Sequence, residues 1–169
     1  MSICLLVIDG QVDFCEGGSL GVTGASDDMK RVAQMIDKNA GKIDGIVLTM
    51  DSHYHLHIAH SCFWKDKYGN NIEPFGQVTV NDVKNGALSP IKESWKEWAI
   101  HYVEQLQANN RYQLTIWPDH CIIGTPGHCL QQDLLKAVSD WEISRNAIAP
   151  RIMKGSNPLT EHYSAIKAD

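Results

Sequence analysis

The sequence predicts an α/β fold in which helices flank a parallel sheet. Residues 3–8, which are all apolar, and residues 44–50, which contain the apolar run 46–48, have the length of buried strands, and an aspartate directly follows each segment. An amphipathic helix pattern lies between the two segments, which gives the order strand, helix, strand with a right-handed crossover. Strand and helix patterns alternate again in the last third of the chain.

The first predicted strand, residues 3–8, is apolar at every position, which is typical of a strand covered on both faces. Ser26 is expected to cap the helix that follows, and Gly41 is expected to end it. Residues 44–50 then form the second strand. The apolar face of the helix is predicted to consist of Met29, Val32, Ala33 and Ile36.

Later segments predict two more helices and two more strands. Ser89 and Pro90 are expected to start a helix whose tryptophans lie in the core. A third strand is predicted at 112–117, a helix at about 128–143, and a fourth strand within 146–155. The apolar stripe of the first of these helices contains Trp95, Trp98, Ala99, Tyr102, Val103 and Leu106, and the inward residues of the second are Leu130, Leu134, Leu135, Val138 and Trp141.

Length and composition predict one domain. A chain of 169 residues that is 43% hydrophobic is long enough for a single domain with its own core, so residues 1–169 are expected to form one unit. Within it, residues 52–88 are rich in His, Asn, Gly and aromatic residues. They are expected to form an irregular functional loop outside the sheet.

Charge and cysteine usage narrow the class of partner. The formal net charge of −5 includes no block of like charges, which argues against nucleic-acid or membrane-surface binding and favours a small molecule. No apolar segment approaches the roughly 20 residues that span a bilayer. The five cysteines form an odd set without a C-x-x-C pair, and no export signal precedes the first strand, so reduced thiols in the cytoplasm are expected.

Polar residues stand where the predicted strands end. Asp9 and Asp51 follow the first two predicted strands, the segment 117–120 closes the third, and Lys154 closes the fourth. Ligands of open parallel sheets bind at the carboxyl ends of the strands, so these side chains are expected to converge. Any one of them alone is more simply a solvated residue at a strand end. Their joint occurrence favours a site.

The second strand end has the residue types of a metal site. Asp51 and His53 are two residues apart in an extended segment, so their side chains leave the same side of the backbone. His57, His60 and His120 offer further nitrogen ligands, and a set of carboxylate and imidazole ligands suits Zn²⁺, Mn²⁺ or Fe²⁺. The alternative is a polar loop whose histidines bind no metal, and the spacing does not decide between the two.

Asp9 and Lys154 are expected to form a buried pair at their strand ends. One interpretation is a structural ion pair without further role. The other is chemical, since a carboxylate beside a cysteine can take the thiol proton while the ammonium stabilises the thiolate.

Four segments resemble nicotinamidase-related amidases of the isochorismatase-like cysteine hydrolase family. They occur in the family's order and span nearly the whole chain, and the first, with its D-x-Q-x-D-F pattern, is the most specific. The segments are VIDGQVDFCEGGSLGVTGA, TMDSHYHLHIAH, IWPDHCIIGTPGH and KGSNPLTEHYSA. The resemblance implies a Rossmann-like sheet of six strands with flanking helices. It also implies a catalytic triad of aspartate, lysine and cysteine.

Several roles follow from that resemblance. Asp9 and Lys154 would be the catalytic aspartate and lysine, and Phe14 and Trp117 would form aromatic walls for a flat heteroaromatic amide such as nicotinamide. The metal would be zinc, with manganese or iron as alternatives. Its ligands would be Asp51, His53 and His120, with His57 as a further histidine that some members use.

The nucleophilic cysteine of the family lies after a further strand, at the start of a helix, and this chain ends at Asp169 before that position. The C-terminal strands are therefore expected to be missing from the chain, and a second polypeptide or a C-terminal fragment is expected to complete the fold, within an oligomer. Among the cysteines present, Cys129 comes nearest to the role because it is predicted to open a helix.

Two other functions are open. A metal- and ligand-binding module or assembly subunit without activity would keep the pocket and lack turnover. A phosphatase with Asp9 as nucleophile is less favoured, because that chemistry needs a second acid two residues later and Gln11 stands there.

Overall fold

A computed structural model describes residues 2–108 and 112–168. The chain divides into two compact units, one made of Met1–Ser52 and His120–Ser156 and the other of His53–Asp119 and Asn157–Asp169. That residues 1–169 form a single domain stays a prediction. In chain order the strands and helices are β1 (Cys4–Ile8), α1 (Ala25–Asn39), β2 (Gly45–Asp51), β3 (Trp64–Asp66), β4 (Gln77–Val78), α2 (Val80–Lys84), β5 (Leu88–Pro90), α3 (Lys96–Gln107), β6 (Leu114–Thr115), α4 (Gln132–Arg145) and β7 (Arg151–Lys154).

The first unit contains a parallel sheet in the order β1-β2-β7, which confirms the α/β class. Helices α1 and α4 pack on one face of this sheet, because their apolar residues form one buried cluster with those of the strands. The strands contribute Val7, Ile46, Leu48 and Met50 to the cluster, and the helices contribute Ala33, Ile36, Leu134, Ala137, Val138 and Trp141.

The opposite face of β1 is open, so the prediction that both of its faces are covered is wrong. In a parallel ladder the paired residues point to the same side, and Leu6 pairs with Val47 while Ile8 pairs with Thr49. Leu6 is 55% exposed and Ile8 is 65% exposed. The apolar run identified a strand of this sheet correctly, but α1 and α4 cover the Val7 face alone.

Helix α1 begins one residue before the predicted cap. Its N-cap is Gly24, with φ 87°, and the Ser26 hydroxyl donates a hydrogen bond to Glu16 instead of capping. The Glu16 carboxylate also accepts from the backbone N–H groups of Gly24 and Ser26, so it satisfies two backbone donors at this helix start. The helix ends at Asn39, and a 3-10 turn over Ala40–Lys42 follows it.

The second unit is built from two short antiparallel pairs, β3 with β5 and β4 with β6, and from α2 and α3. Ser89 and Pro90 lie in β5, so the prediction that they start a helix is wrong; α3 begins at Lys96. Trp95 stacks on Phe63 at the core, but Trp98 is 40% exposed.

The predicted third strand does not belong to the parallel sheet. Of residues 112–117, only Leu114–Thr115 is a strand, and it pairs antiparallel with β4. The flanking Ile116 exchanges backbone hydrogen bonds with the turn before β4, which holds the segment in the second unit. The irregular segment predicted over 52–88 contains the short elements β3, β4, α2 and β5.

The last helix and strand agree more closely with the sequence. Helix α4 starts at Gln132, four residues later than predicted, and its Leu135 is 41% exposed. Strand β7 ends at Lys154 as predicted. Within the ranges that the structure describes, no helix is long and apolar enough to cross a membrane.

Candidate active site and metal site

The three strands of the parallel sheet bring Asp9, Asp51 and Lys154 together at their carboxyl ends. Lys154 Nζ lies 3.0 Å from Asp9 Oδ2 and hydrogen-bonds Asp51 Oδ1. Lys154 and Asp51 are buried, and the Asp9 side chain keeps 20% of its surface exposed. One ammonium therefore lies between two carboxylates, at neighbouring positions that the register Asp51↔Lys154 sets.

The two carboxylates keep Lys154 charged. Burial by itself would lower the pKa of Lys154, but the charges and hydrogen bonds of Asp51 and Asp9 outweigh it and raise that pKa above its ordinary value. The ammonium is thus a fixed positive charge at neutral pH, next to a carboxylate that solvent can reach.

Asp9 has a left-handed backbone conformation, with φ 51°. This region is unfavourable for most residues and is tolerated best by Gly, Asn and Asp. Thr49 of β2 holds the residue in place, since its hydroxyl donates to Asp9 Oδ1 at 2.7 Å and the Asp9 N–H donates to the Thr49 backbone oxygen at 3.2 Å. In this conformation Asp9 Oδ2 lies 3.0 Å from Lys154 Nζ.

Gln11 is a site residue that reasoning from sequence missed. Its fully buried side chain accepts from the Asp51 N–H at 2.7 Å and donates to the Asp51 carbonyl at 2.7 Å and the His128 carbonyl at 2.9 Å. Gln11 thereby ties the end of β1 to the end of β2. Its signal in the sequence is the glutamine of the D-x-Q-x-D-F pattern.

The loop after β1 is anchored by Asp13. This buried carboxylate accepts from the N–H of Cys121 at 2.6 Å and from that of Ser19 at 3.1 Å. Phe14 follows it and is half-buried, with its ring centroid 5.6 Å from that of His120 in an edge contact. The predicted role of Phe14 as an aromatic wall stays a prediction.

Asp51, His53 and His120 form a group that could hold a divalent metal. One ligand atom from each lies within 4.8 Å of the others, and all three residues are buried. His120 Nε2 is 3.7 Å from Asp51 Oδ2, whereas Lys154 hydrogen-bonds Asp51 Oδ1. One carboxylate and two imidazoles fit the ligand preferences of Zn²⁺ and of its neighbours Mn²⁺ and Fe²⁺. No other such group occurs in the described part of the chain.

His57 lies outside this group. Its Nδ1 accepts from the Ala59 N–H at 3.2 Å and its Nε2 lies 3.1 Å from the Thr160 carbonyl, so both ring nitrogens have partners. Its ring centroid is 4.6 Å from that of His53. A role as a metal ligand stays a prediction for His57.

Trp117 belongs to the second unit and is half-buried. Its backbone N–H donates to the Ala59 carbonyl at 2.7 Å, and its ring packs edge-on against Phe75. Its role as an aromatic wall is untested by this geometry.

All five cysteines are free thiols. Burial is the main cause that raises the pKa of Cys15, Cys62 and Cys121, so none of these three is an activated thiolate. Cys129 is exposed and precedes Gln131, the N-cap of α4, by two residues. The prediction that Cys129 opens this helix is therefore wrong, since α4 begins at Gln132.

The chain is similar to known nicotinamidases in sequence and in fold. No protein-family model matches the chain. The nicotinamidase of Escherichia coli (strain K12) is 26% identical over 161 residues, which cover 95% of this chain and 55% of that protein. The resemblance to nicotinamidases is confirmed.

Solved nicotinamidases and pyrazinamidases share the fold. The yeast nicotinamidase superposes with a TM-score of 0.64 at 22% identity, covering 99% of this chain and 63% of that one. A nicotinamidase pyrazinamidase from Acinetobacter baumanii gives 0.59 at 24% identity, covering 99% and 58%. The pyrazinamidase of Pyrococcus horikoshii, solved in complex with zinc, gives 0.54 at 23% identity, covering 100% and 61%. This chain thus spans about half to three fifths of the length of these proteins.

Proposed function

We propose that the chain is part of a metal-assisted amidohydrolase that converts a small carboxamide such as nicotinamide to the acid and ammonia. The observation that carries this proposal is Lys154 between Asp9 and Asp51 at the carboxyl end of the sheet. Nicotinamidases and pyrazinamidases, which the chain resembles, support the reaction class.

In the proposed reaction the chain's own residues handle the proton and the charge. Asp9 takes the proton of a cysteine thiol, and the Lys154 ammonium stabilises the resulting thiolate. The sulfur attacks the carboxamide carbon, and the proton returns from Asp9 to the departing nitrogen, which leaves as ammonia. Water then hydrolyses the thioester, with Asp9 as the base that activates it.

The substrate side of the site comprises the metal ligands and two aromatic residues. Asp51, His53 and His120 would hold the divalent ion, and zinc is favoured because the pyrazinamidase of Pyrococcus horikoshii, which shares the fold, was solved in complex with zinc. When bound, the ion would orient the ring nitrogen of the substrate, directly or through water. We assign the walls of the pocket to Phe14 and Trp117, whose flat side chains suit a heteroaromatic ring.

We propose that the nucleophile comes from a segment outside these 169 residues. The thiols of Cys15, Cys62 and Cys121 have a raised pKa, and Cys129 is not on the first turn of a helix. A second polypeptide or a further segment would bring the cysteine and the oxyanion-hole donors to Asp9 and Lys154. The assembly would be an oligomer in the cytoplasm, where the free thiols stay reduced.

A binding module without turnover is the second candidate. Two described features favour it, namely the buried Asp51, His53 and His120 group and the absence of an activated thiol among Cys15, Cys62 and Cys121. Such a module binds a metal and a carboxamide and releases no ammonia.

Substitution of Asp9 separates the two candidates. In the complete assembly, Asp9→Asn should lower ammonia release from nicotinamide by at least about 100-fold, because general-base catalysis contributes roughly that much. Asp28→Asn, the same change at an exposed carboxylate of α1 paired with Arg31, should leave the rate unchanged. Full activity of Asp9→Asn would overturn the assignment, and an assembly that releases no ammonia from any small carboxamide would favour the binding module.

A further inference from the structure

Four consecutive residues near the end of the described chain each use a backbone group to contact the 53–119 part of the second unit, to which they also belong. The Pro158 carbonyl accepts from the Ile58 N–H at 2.8 Å, and the Leu159 carbonyl accepts from the Trp98 indole at 2.9 Å. The Thr160 carbonyl is 3.1 Å from His57 Nε2, and the Glu161 N–H donates to the Tyr102 hydroxyl at 2.7 Å. We call residues 158–161 the clip.

The clip determines the protonation pattern of His57. A carbonyl oxygen can only accept, so the contact with Thr160 requires a proton on Nε2 of His57. Nδ1 is then the acceptor, which matches its hydrogen bond from the Ala59 N–H. With 0% of its surface exposed and a partner at each nitrogen, the His57 ring has one orientation and one tautomer.

His57 in turn packs against His53. The two ring centroids are 4.6 Å apart with an angle of 59° between the planes, and His53 is 1% exposed. Because both side chains are buried, a change in the orientation of one ring displaces the other. His53 supplies one of the three proposed ligand atoms.

We propose that residues 158–161 position His57, and through it His53, so that His53 is ready to bind a divalent cation. The inference rests on the metal site of the proposed function. His57 is then a positioning residue that supports a ligand through ring packing. Loss of such supporting partners typically weakens metal binding about 10- to 100-fold.

Metal affinity of variants tests this without any turnover. The dissociation constant for Zn²⁺ is measured by competition with a chromogenic chelator, together with urea unfolding of the metal-free protein. His57→Leu should weaken Zn²⁺ binding about tenfold or more, whereas His57→Gln, whose amide can still donate to the Thr160 carbonyl, should stay within about threefold. His53→Ala provides the reference for loss of a ligand.

A double variant that changes no histidine tests whether the clip affects Zn²⁺ binding. The double variant Trp98→Phe with Tyr102→Phe removes two of the four clip contacts and should weaken Zn²⁺ binding several-fold, by about tenfold at most. Trp95→Phe, the same change three residues away at a tryptophan that stacks on Phe63, is the control and should leave the affinity unchanged.

Three outcomes would overturn the inference. In the first, the clip variant loses stability in urea but binds Zn²⁺ as tightly as the control, which means a purely structural role. In the second, His57→Gln loses as much affinity as His57→Leu, which means that His57 is itself a ligand. In the third, the unsubstituted protein does not bind Zn²⁺. Failure to release ammonia bears on the proposed function alone, because none of these measurements depends on turnover.

Discussion

Two polar side chains cross between the ends of β1 and β2. Thr49 in β2 holds the carboxylate that follows β1, and Gln11 after β1 holds the backbone of Asp51 at the end of β2. Each carboxylate therefore depends on the other strand for its position. Asp9 and Asp51 were predictable because apolar runs end there, whereas these cross-strand bonds join residues 40 apart in sequence and leave no periodic signal.

Replacement of Gln11 tests these hydrogen bonds between the ends of β1 and β2. Gln11→Met keeps the approximate volume but leaves the Asp51 N–H and two carbonyls without the buried partner, at about 1–3 kcal/mol for each such group. We expect a loss of about 3 kcal/mol or more in the free energy of unfolding, measured by urea denaturation. Gln34→Met, the same change on the exposed side of α1, should stay within about 0.5 kcal/mol. Equal losses in the two variants would contradict the account.

At the scale of elements, apolar runs predicted β1 and β2, helical periodicity predicted α1, and the end of β7 was also predicted correctly. The segment 112–117 was assigned to the parallel sheet wrongly, because a short segment of β-branched and aromatic residues has the same pattern in a parallel sheet and in a two-residue antiparallel pair. Ser89 and Pro90 suit the start of a helix locally, but pairing with β3 overrides that preference. The partner of a short segment is a tertiary property.

The hydrogen bonds at the start of α1 are expected to make the stability of the fold depend on pH. Glu16 accepts hydrogen bonds from Ser26 and Gly24, and these hold the pKa of its carboxyl down to about 2 from the ordinary 4.5. A lowered pKa in the folded state means that this contribution to stability is complete above pH 4.5 and is lost as the pH falls toward 2. Glu16→Gln should remove this part of the acid sensitivity in urea midpoints measured from pH 6 to about 2.

Ser26→Ala gives a graded comparison at the same helix start. It removes the hydroxyl donor and keeps both backbone donors, so it should shrink the acid-sensitive contribution without abolishing it. If Glu16→Gln follows the unsubstituted protein at every pH, Glu16 does not stabilise the start of α1.

At the scale of the whole molecule, one face of β1 exposes apolar side chains that a partner could cover. Burial of a side chain such as Leu6 or Ile8 contributes about 1.5–3 kcal/mol, and both are largely exposed here. Ile152 of β7 lies on the same face through its pairing with Thr49 and is 41% exposed. Within the described ranges, no strand pairs with the second edge of β1. This face and edge adjoin Asp9, so the segment that we propose to supply the nucleophile could reach Asp9 by docking there.

Cysteine mapping tests the central claim most directly. The assembly that contains this chain is treated with iodoacetamide at about pH 6, where ordinary thiols are largely protonated and an activated thiolate still reacts. Ammonia release and the modified cysteine, located by peptide mass spectrometry, are followed together. We predict that activity falls in step with alkylation of one cysteine outside residues 1–169. Loss of activity in step with Cys4, Cys15, Cys62, Cys121 or Cys129 would contradict the account, as would full activity after every thiol has reacted.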